Sequence, residues 1–368
     1  MAEKICRWGI LGTAGIARKH WRGIRTAEGA TITAVASRSL DSAQRFIDEC
    51  SATVGYPEPV AAVAPYEALL DREDVDAVYI PLPTAMRHEW VIRAAEAGKH
   101  VLAEKPAACD ASQVQEMIHA CQQHGVQYMD GVMFMHSSRL PMVRSLLDNQ
   151  ENVGRLRRMS SQFSFCGDAT FRTENIRVDS RLEPHGCLGD LGWYCIRFFL
   201  WVMQGQLPQH VRAHRLSSLH GNGSPASVPG EFSAELLFDG GVSASFYNSF
   251  ITENQQWVHL SGERGYLSIQ DFVLPFHSAE ATAFVGNDYF KIDNCDFHME
   301  NHLRRYAVKE YSSAYSGAQE VRLIEEFSRL AMSGQPDAKW PQWTLSTQRV
   351  LDACWQSANK DGQLIELK

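Results

Sequence analysis

Arg7-Trp8-Gly9-Ile10-Leu11-Gly12-Thr13-Ala14-Gly15-Ile16-Ala17 is the stretch that decides the fold. Residues 7–11 read as a short strand, and the glycine-rich turn after them opens a helix that ends near Gly29. Aligned as G-x-G-x-x-A, Gly12 makes the tight turn and Ala17 permits close helix packing. Ala14 stands where a second glycine usually lets the backbone approach a pyrophosphate, so one methyl must be tolerated there. The helix N-terminus still offers N–H groups and the positive end of its dipole. A bare glycine-rich turn is often only a turn. This one gains weight from its place in the first unit of an alternating chain.

Working outward, strands at 31–35, 77–80, 100–103 and 126–129 alternate with helices at 40–50, 66–70, 85–97 and 111–124. Strands that recur between helices of about 10–15 residues mean β-α-β units and a parallel sheet. After about residue 155 the texture changes. Stretches 159–165, 232–238, 242–250, 257–260 and 266–269 are strand-like and joined by turns such as Asp239-Gly240-Gly241, while helices follow Gly189 and fill 320–332 and 345–358. Residues 214–231, rich in Ser, Gly, Pro and His, read as a loop or sheet-edge connection. The expected architecture is α/β: a doubly wound Rossmann domain in residues 1–130, then an α+β substrate-binding and dimerisation domain in 131–368 with a large, mostly antiparallel sheet. Helices should cover one face of that sheet. An open face bearing Phe163, Phe165 and Phe246 would need a second subunit, so a homodimer through the sheet is expected.

Composition narrows the function classes. Hydrophobic residues make up 45% and charged residues 21%, as in folded globular chains, which excludes disorder and coiled coil. Thirty-five Lys and Arg against 43 Asp and Glu give a net charge of −8, disfavouring nucleic acid or an anionic membrane as partner. No apolar run approaches the roughly 18 residues of a membrane span. Met1-Ala2-Glu3-Lys4 leads into the first strand without an export pattern, so a cytoplasmic location is expected. The nine cysteines are scattered and include no C-x-x-C pair; reduced, mostly buried thiols are the simplest reading.

Three segments carry candidate chemistry. Val35-Ala36-Ser37-Arg38-Ser39 ends the second strand without the acid that would take a ribose 2′-hydroxyl. Ser37 and Arg38 would instead suit a 2′-phosphate, so NADP is favoured, with NAD possible. A solvated Arg opening a helix is the plainer alternative. Glu104-Lys105-Pro106 follows the 100–103 strand at the carboxyl edge, where open parallel sheets bind ligands. The ammonium of Lys105 there would stabilise an alkoxide-like oxygen, against the alternative of an ordinary surface lysine. In Gly189-Asp190-Leu191-Gly192-Trp193-Tyr194, Asp190 and Tyr194 are four apart and share a helix face. A phenol near an ammonium can act as general acid–base, although a packed aromatic and a helix cap would read the same way. His298 and His302 have the spacing of a helical metal pair but no third ligand, so no metal is expected. Arg139, His185 and Trp193 adjoin these segments and are substrate-side candidates, with a salt bridge the alternative for Arg139 and packing for Trp193.

Taken together, residues Gly12 to Ala17, Ile80-Pro81-Leu82-Pro83-Thr84 with His88, Glu104-Lys105-Pro106 and Gly189 to Tyr194 resemble the Gfo/Idh/MocA oxidoreductases, nearly end to end. That family includes glucose–fructose oxidoreductase, inositol dehydrogenases and dimeric dihydrodiol dehydrogenase. Ala36 to Leu40, Pro81 to Thr84 and Gly192-Trp193-Tyr194 are closest to a plant and microbial branch. The resemblance implies that Gly12, Thr13, Ala14, Gly15 and Ile16 cradle the cofactor phosphates. It also implies that Pro81, Leu82, Pro83 and His88 line the nicotinamide side and that Glu104 meets its ribose. Lys105 would be the catalytic lysine, with Asp190 and Tyr194 the substrate-side pair. The implied reaction is hydride transfer between nicotinamide and a secondary alcohol or ketone of a sugar, polyol or related diol. Two alternatives share the fold: a non-catalytic cofactor-sensing regulator, which would need neither Lys105 nor Tyr194, and a redox-cycling glycosidase that keeps its cofactor.

Overall fold

The computed structural model describes residues 4–367, which form two compact units. The first holds the chain through His136 together with residues 181–184 and 313–349. Its elements run β1 (Cys6–Leu11), α1 (Ala17–Thr26), β2 (Ala30–Ala36), α2 (Leu40–Ser51), β3 (Ala61–Val63), α3 (Glu67–Leu70), β4 (Ala77–Ile80), α4 (Thr84–Glu96), β5 (His100–Ala103), α5 (Ala111–Gln123) and β6 (Tyr128–Asp130). Among the described residues the six strands pair in parallel in the order β3-β2-β1-β4-β5-β6. The order reverses between β1 and β4, and that switch point is where an open α/β sheet leaves a crevice at its carboxyl ends. The strands are short and apolar because helices bury both their faces: all four residues of β4 are buried. α1 shows the matching helical period, burying Ala17, His20, Trp21 and Ile24.

The second unit holds residues 137–180, 185–312 and those from 350 onward. It contains α6 (Arg139–Asp148), β7 (Leu156–Cys166), α7 (Ala169–Glu174), α8 (Trp193–Val202), β8 (His210–Leu219), β9 (Val228–Leu237), β10 (Ser243–Ser249), β11 (Ile251–Gly262), β12 (Tyr266–Ile269), β13 (Glu280–Gly286), β14 (Tyr289–Asp293), β15 (Asp296–Glu300) and β16 (Leu303–Lys309). α9 (Gln319–Met332) belongs to the first unit, α10 (Lys339–Ala358) passes from the first into the second, and β17 (Ile365–Glu366) is the last element. The large sheet has the order β16-β13-β12-β11-β7-β10-β9-β8-β17 and is antiparallel apart from the β7–β10 pair. In the segment read as a loop or sheet-edge connection at 214–231, the two ends belong to β8 and β9 and residues 220–227 connect them near the edge of the sheet.

Phe163 and Phe246 are on the covered face of this sheet, not the open one. Phe163 meets the Tyr194 ring edge-on at 5.6 Å, and Phe165 packs on Phe171 and Phe250. Strict alternation turns Ser160, Gln162, Ser245 and Tyr247 the other way, so the open face is small and polar, with half-buried Trp257 beside them. Among the described residues the patch of phenylalanines expected on that face is absent.

α9 completes the first unit from far along the chain. Val321, Ile324 and Phe327 join the core around Trp8, whose ring lies 5.0 Å from Phe327 and whose indole N–H donates to Ser328 Oγ at 3.1 Å.

Candidate active site

The loop after β1 could hold a phosphate. Gly12 has φ +119°, which favours glycine, and a Cβ there would come to 3.0 Å from Leu82 Cδ2 in the loop after β4, so the Leu82 side chain would have to give way. The Gly12 N–H donates to Ala36 O at 2.9 Å, which fixes the turn against β2. The N–H groups of Ala17, Arg18 and Lys19 turn back to the carbonyls of Ala14, Gly15 and Ile16, leaving the N–H groups of 14–16 outside the helix ladder. A Cβ on Gly15 would meet nothing within 4 Å, so the turn opens onto space. At the end of β2, Ser37 is buried and Arg38 exposed, and the Arg38 guanidinium makes no hydrogen bond or ion pair among the described residues. A dinucleotide fits this donor set: oriented N–H groups for its phosphates and a cation without a carboxylate partner near its ribose.

Glu104 is buried at the end of β5. Its carboxylate accepts the Tyr79 hydroxyl at 2.7 Å and the Lys105 N–H at 3.2 Å, and it lies 3.6 Å from His20 Nε2, ion-pair rather than hydrogen-bond range. The His20 and Tyr79 rings pack with centroids 4.2 Å apart. Burial pushes the Glu104 pKa up, but His20, the charge of Lys105 and the Tyr79 hydroxyl outweigh it and hold the carboxyl below its ordinary value. A Cβ at Gly131 would press within 3.0 Å of Glu104 Oε1, so the carboxylate is packed as well as bonded. The result is an anion fixed directly behind the backbone of Lys105. Pro81 to Pro83 lead into α4, while His88, one turn along, points to α5, its Nε2 2.7 Å from Glu116 Oε2.

In the second unit, Leu188–Gly192 forms a π-helical turn that runs directly into α8. Such turns recur at functional sites. A Cβ at Gly192 would sit 3.0 Å from Asn248 Oδ1, so this glycine lets the turn close onto β10. Asp190 accepts the Arg177 Nε–H at 2.8 Å. Tyr194 follows on the same helical track, held by Phe163. His185 is buried, with its ring edge-on to Trp355 at 5.1 Å. Trp193 is fully buried, with the Arg197 guanidinium 5.9 Å from its ring, and reads as packing. Arg139 is also buried and is taken up by the Asp271 carboxylate and by Asp271 O at 2.7 Å.

His298 lies on β15, so its spacing to His302 is not helical. Both imidazoles turn to the Glu300 carboxylate, at 2.7 and 2.8 Å. Sequence reasoning missed His20, Tyr79, Arg87, Arg177 and Glu183. His20 carries a readable signal, since it falls on the apolar face of α1 between Ala17 and Trp21. Arg87 and Glu183 carry none, because their meeting depends on a crossing of the chain that no local pattern records.

The chain belongs to the Gfo/Idh/MocA oxidoreductase family. Residues 6–132 match the family described as an oxidoreductase family with an NAD-binding Rossmann fold, and residues 142–268 match its C-terminal domain. A dTDP-3,4-didehydro-2,6-dideoxy-alpha-D-glucose 3-reductase from Actinomadura kijaniata is 36% identical over 358 residues, 94% of each chain. A D-xylose 1-dehydrogenase (NADP(+)) from Haloferax volcanii is 29% identical over 98% of this chain and 99% of its own. The crystal structure of a 3-ketoreductase from Actinomadura kijaniata with NADP and TDP-benzene matches at TM-score 0.79 and 26% identity, covering 96% and 98% of the two chains. That ketoreductase has also been solved with a tyrosine changed to phenylalanine and with a lysine changed to alanine. The expected fold and family therefore hold.

Proposed function

We propose that this chain is an NADP-dependent oxidoreductase that moves a hydride between nicotinamide and a secondary alcohol or ketone of a sugar, polyol or related diol. The observation that carries the reading is the Glu104–Lys105 arrangement: a lysine at the carboxyl end of β5, its backbone held by a buried carboxylate that is itself held by Tyr79 and His20. When bound, the nicotinamide supplies or takes the hydride. The chain's own residues handle the proton. The Tyr194 phenol exchanges it with the substrate hydroxyl, the Lys105 ammonium stabilises the oxyanion, and Asp190 orients the substrate side. A cation near a phenol favours its ionised form, which suits a general base at neutral pH. The relatives' names support the substrate class, since they include a ketosugar reductase and a pentose dehydrogenase. The ketoreductase variants at a tyrosine and a lysine support the pair. NADP is favoured by Arg38, by Ser37 and by the absence of an acid at the end of β2.

The same reading includes a homodimer through the open face of the large sheet, now on the strength of its half-buried Tyr247, Trp257 and Tyr266 among serines rather than an apolar patch. The nine cysteines, none of them in a disulfide, fit a reducing compartment, in keeping with the cytoplasm. A turnover screen of NADP+ and NAD+ against sugars, nucleotide sugars, inositols and aromatic dihydrodiols tests the assignment. Reduction of NADP+ by at least one of them is expected. Silence across the whole set with both cofactors would return the chain to the sensor reading.

A further inference from the structure

Residues 181–184 pack into the first unit although Ser180 and His185, on either side, belong to the second. They cap α4. The residue before that helix is Pro83, which has no side-chain acceptor, so the first-turn N–H groups need partners from elsewhere. Glu183 accepts the Thr84 N–H at 3.0 Å and also its hydroxyl, and the Leu182 carbonyl accepts the Ala85 N–H at 3.1 Å. Arg87, one turn into α4 and 4% exposed, gathers the rest. Its Nη1 donates to Thr84 Oγ1 at 2.9 Å and to the Pro106 carbonyl, and its Nη2 lies 4.0 Å from Glu183 Oε1.

This is more than a cap needs. Glu183 and the Leu182 carbonyl already serve the helix end, and a buried ion pair adds little net stability once both charges lose their water. Arg87 Nε is itself buried without a hydrogen-bond partner, a cost that capping does not explain. What the guanidinium does secure is a carbonyl. Pro106 O belongs to the residue after Lys105, and Ala107 and Ala108 beyond it are fully buried. That carbonyl lies in the Pro106–Ala107 peptide, one plane beyond the Lys105–Pro106 bond, and the proline ring, whose φ is locked, carries the hold back to the peptide on the carboxyl side of Lys105. Glu104 holds the N–H of Lys105, so the lysine backbone is gripped from both sides.

We propose that Arg87 and Glu183 are positioning residues for Lys105: Arg87 sets the Pro106 carbonyl, and Glu183 sets Arg87. This rests on the reading of Lys105 as catalytic. The strap that carries Glu183 runs on by chain to His185 and Asp190.

The test uses full-length protein, NADP+ and the sugar that turns over fastest in the screen above, beginning with D-xylose. Arg87→Lys keeps the charge but loses the planar fork. Its kcat should fall about ten- to a hundredfold, as small misplacements of catalytic groups do, with KM and NADPH affinity within about threefold. Glu183→Gln keeps one oxygen for the Thr84 N–H, replaces the acceptor of the Thr84 hydroxyl by an amide N–H and removes the counter-charge, so a fall in kcat of about three- to tenfold is expected with a melting midpoint only slightly lowered. In a Lys105→Ala background Arg87→Lys should cost nothing further, because the residue it positions is gone. A folded Arg87→Lys enzyme with kcat within twofold of the parent overturns the proposal. So does an equal loss in the Lys105→Ala background, which would mark a general structural role. Should Arg87→Lys fail to fold, the same criteria applied to Glu183→Gln decide. Full activity in Lys105→Ala alone would instead sink the reading of Lys105.

Discussion

The hydroxyl of Tyr79, in the middle of the parallel sheet, donates to the carboxylate of Glu104 at 2.7 Å, both groups being buried. Tyr79→Phe removes that donor and leaves the carboxylate short of a partner. A hydrogen bond to a charged group contributes about 1.5–3 kcal/mol, so denaturant titration should show a loss of that size. A loss well under this range would mean that His20 and Lys105 sustain the anion without it.

The same carboxylate gives a pH signature. Its folded pKa lies below the unfolded value of about 4.3, so its contribution to stability is present above that value and fades as pH falls through the folded one. Glu104→Gln should therefore lower the melting midpoint at pH 7 more than at about pH 3, which is below the unfolded value and where part of the parent's charge-dependent stability is already lost. An equal gap at the two pH values would show that packing, not charge, is what the substitution removes.

Arg38 is expected to discriminate between cofactors. NADPH should bind more tightly than NADH, and Arg38→Ala should erase most of the difference, about tenfold to a hundredfold for one charge-assisted pair. Fluorescence titration of both reduced cofactors measures it directly. Equal affinities in the unsubstituted protein would defeat the assignment to NADP.

For the chemistry, Tyr194→Phe keeps the ring that packs on Phe163 and removes only the hydroxyl, so folding and cofactor affinity should survive. The turnover number should fall about 10²–10⁴-fold, the usual worth of general acid–base catalysis. Lys105→Ala should lose at least as much, and the double variant should lose less than the product of the two, as residues acting together do. Independent losses would mean that the two do not share a step.

Gly12→Ala tests the cofactor turn. An alanine would have to hold φ +119° and press on Leu82, a strain of about 1–3 kcal/mol. We expect a lower melting midpoint together with at least tenfold weaker NADPH binding. Normal binding in that variant would place the phosphates elsewhere.

Much of this was readable in residue order. The alternation through Tyr128, the turn at Gly12, the lysine after β5 and the Asp190–Tyr194 segment are local patterns, and local patterns survive in sequence. Strand faces were less secure. Phe163 and Phe246 were placed on the open side because period two says which residues share a face, not which face meets the helices. Residues 280–309 gave no strand signal, since in the β14–β15 hairpin Phe290, Ile292, Phe297 and Met299 are exposed. Glu183 was invisible because its partner Thr84 is 99 positions away.

Trp8 and Ser328 are separated by 320 positions, yet α9 is part of the wall that encloses β1. During synthesis at about 5–20 residues per second, the first strand would emerge roughly 16 to 64 s before the helix that covers it. Until then the apolar flank of β1 and α1 is bare, and anything that binds nascent apolar segments has time to find it. A fragment ending near His136 should consequently be a client of holdase chaperones rather than a soluble nucleotide-binding domain. The second unit is made while the first is still waiting for its last helix.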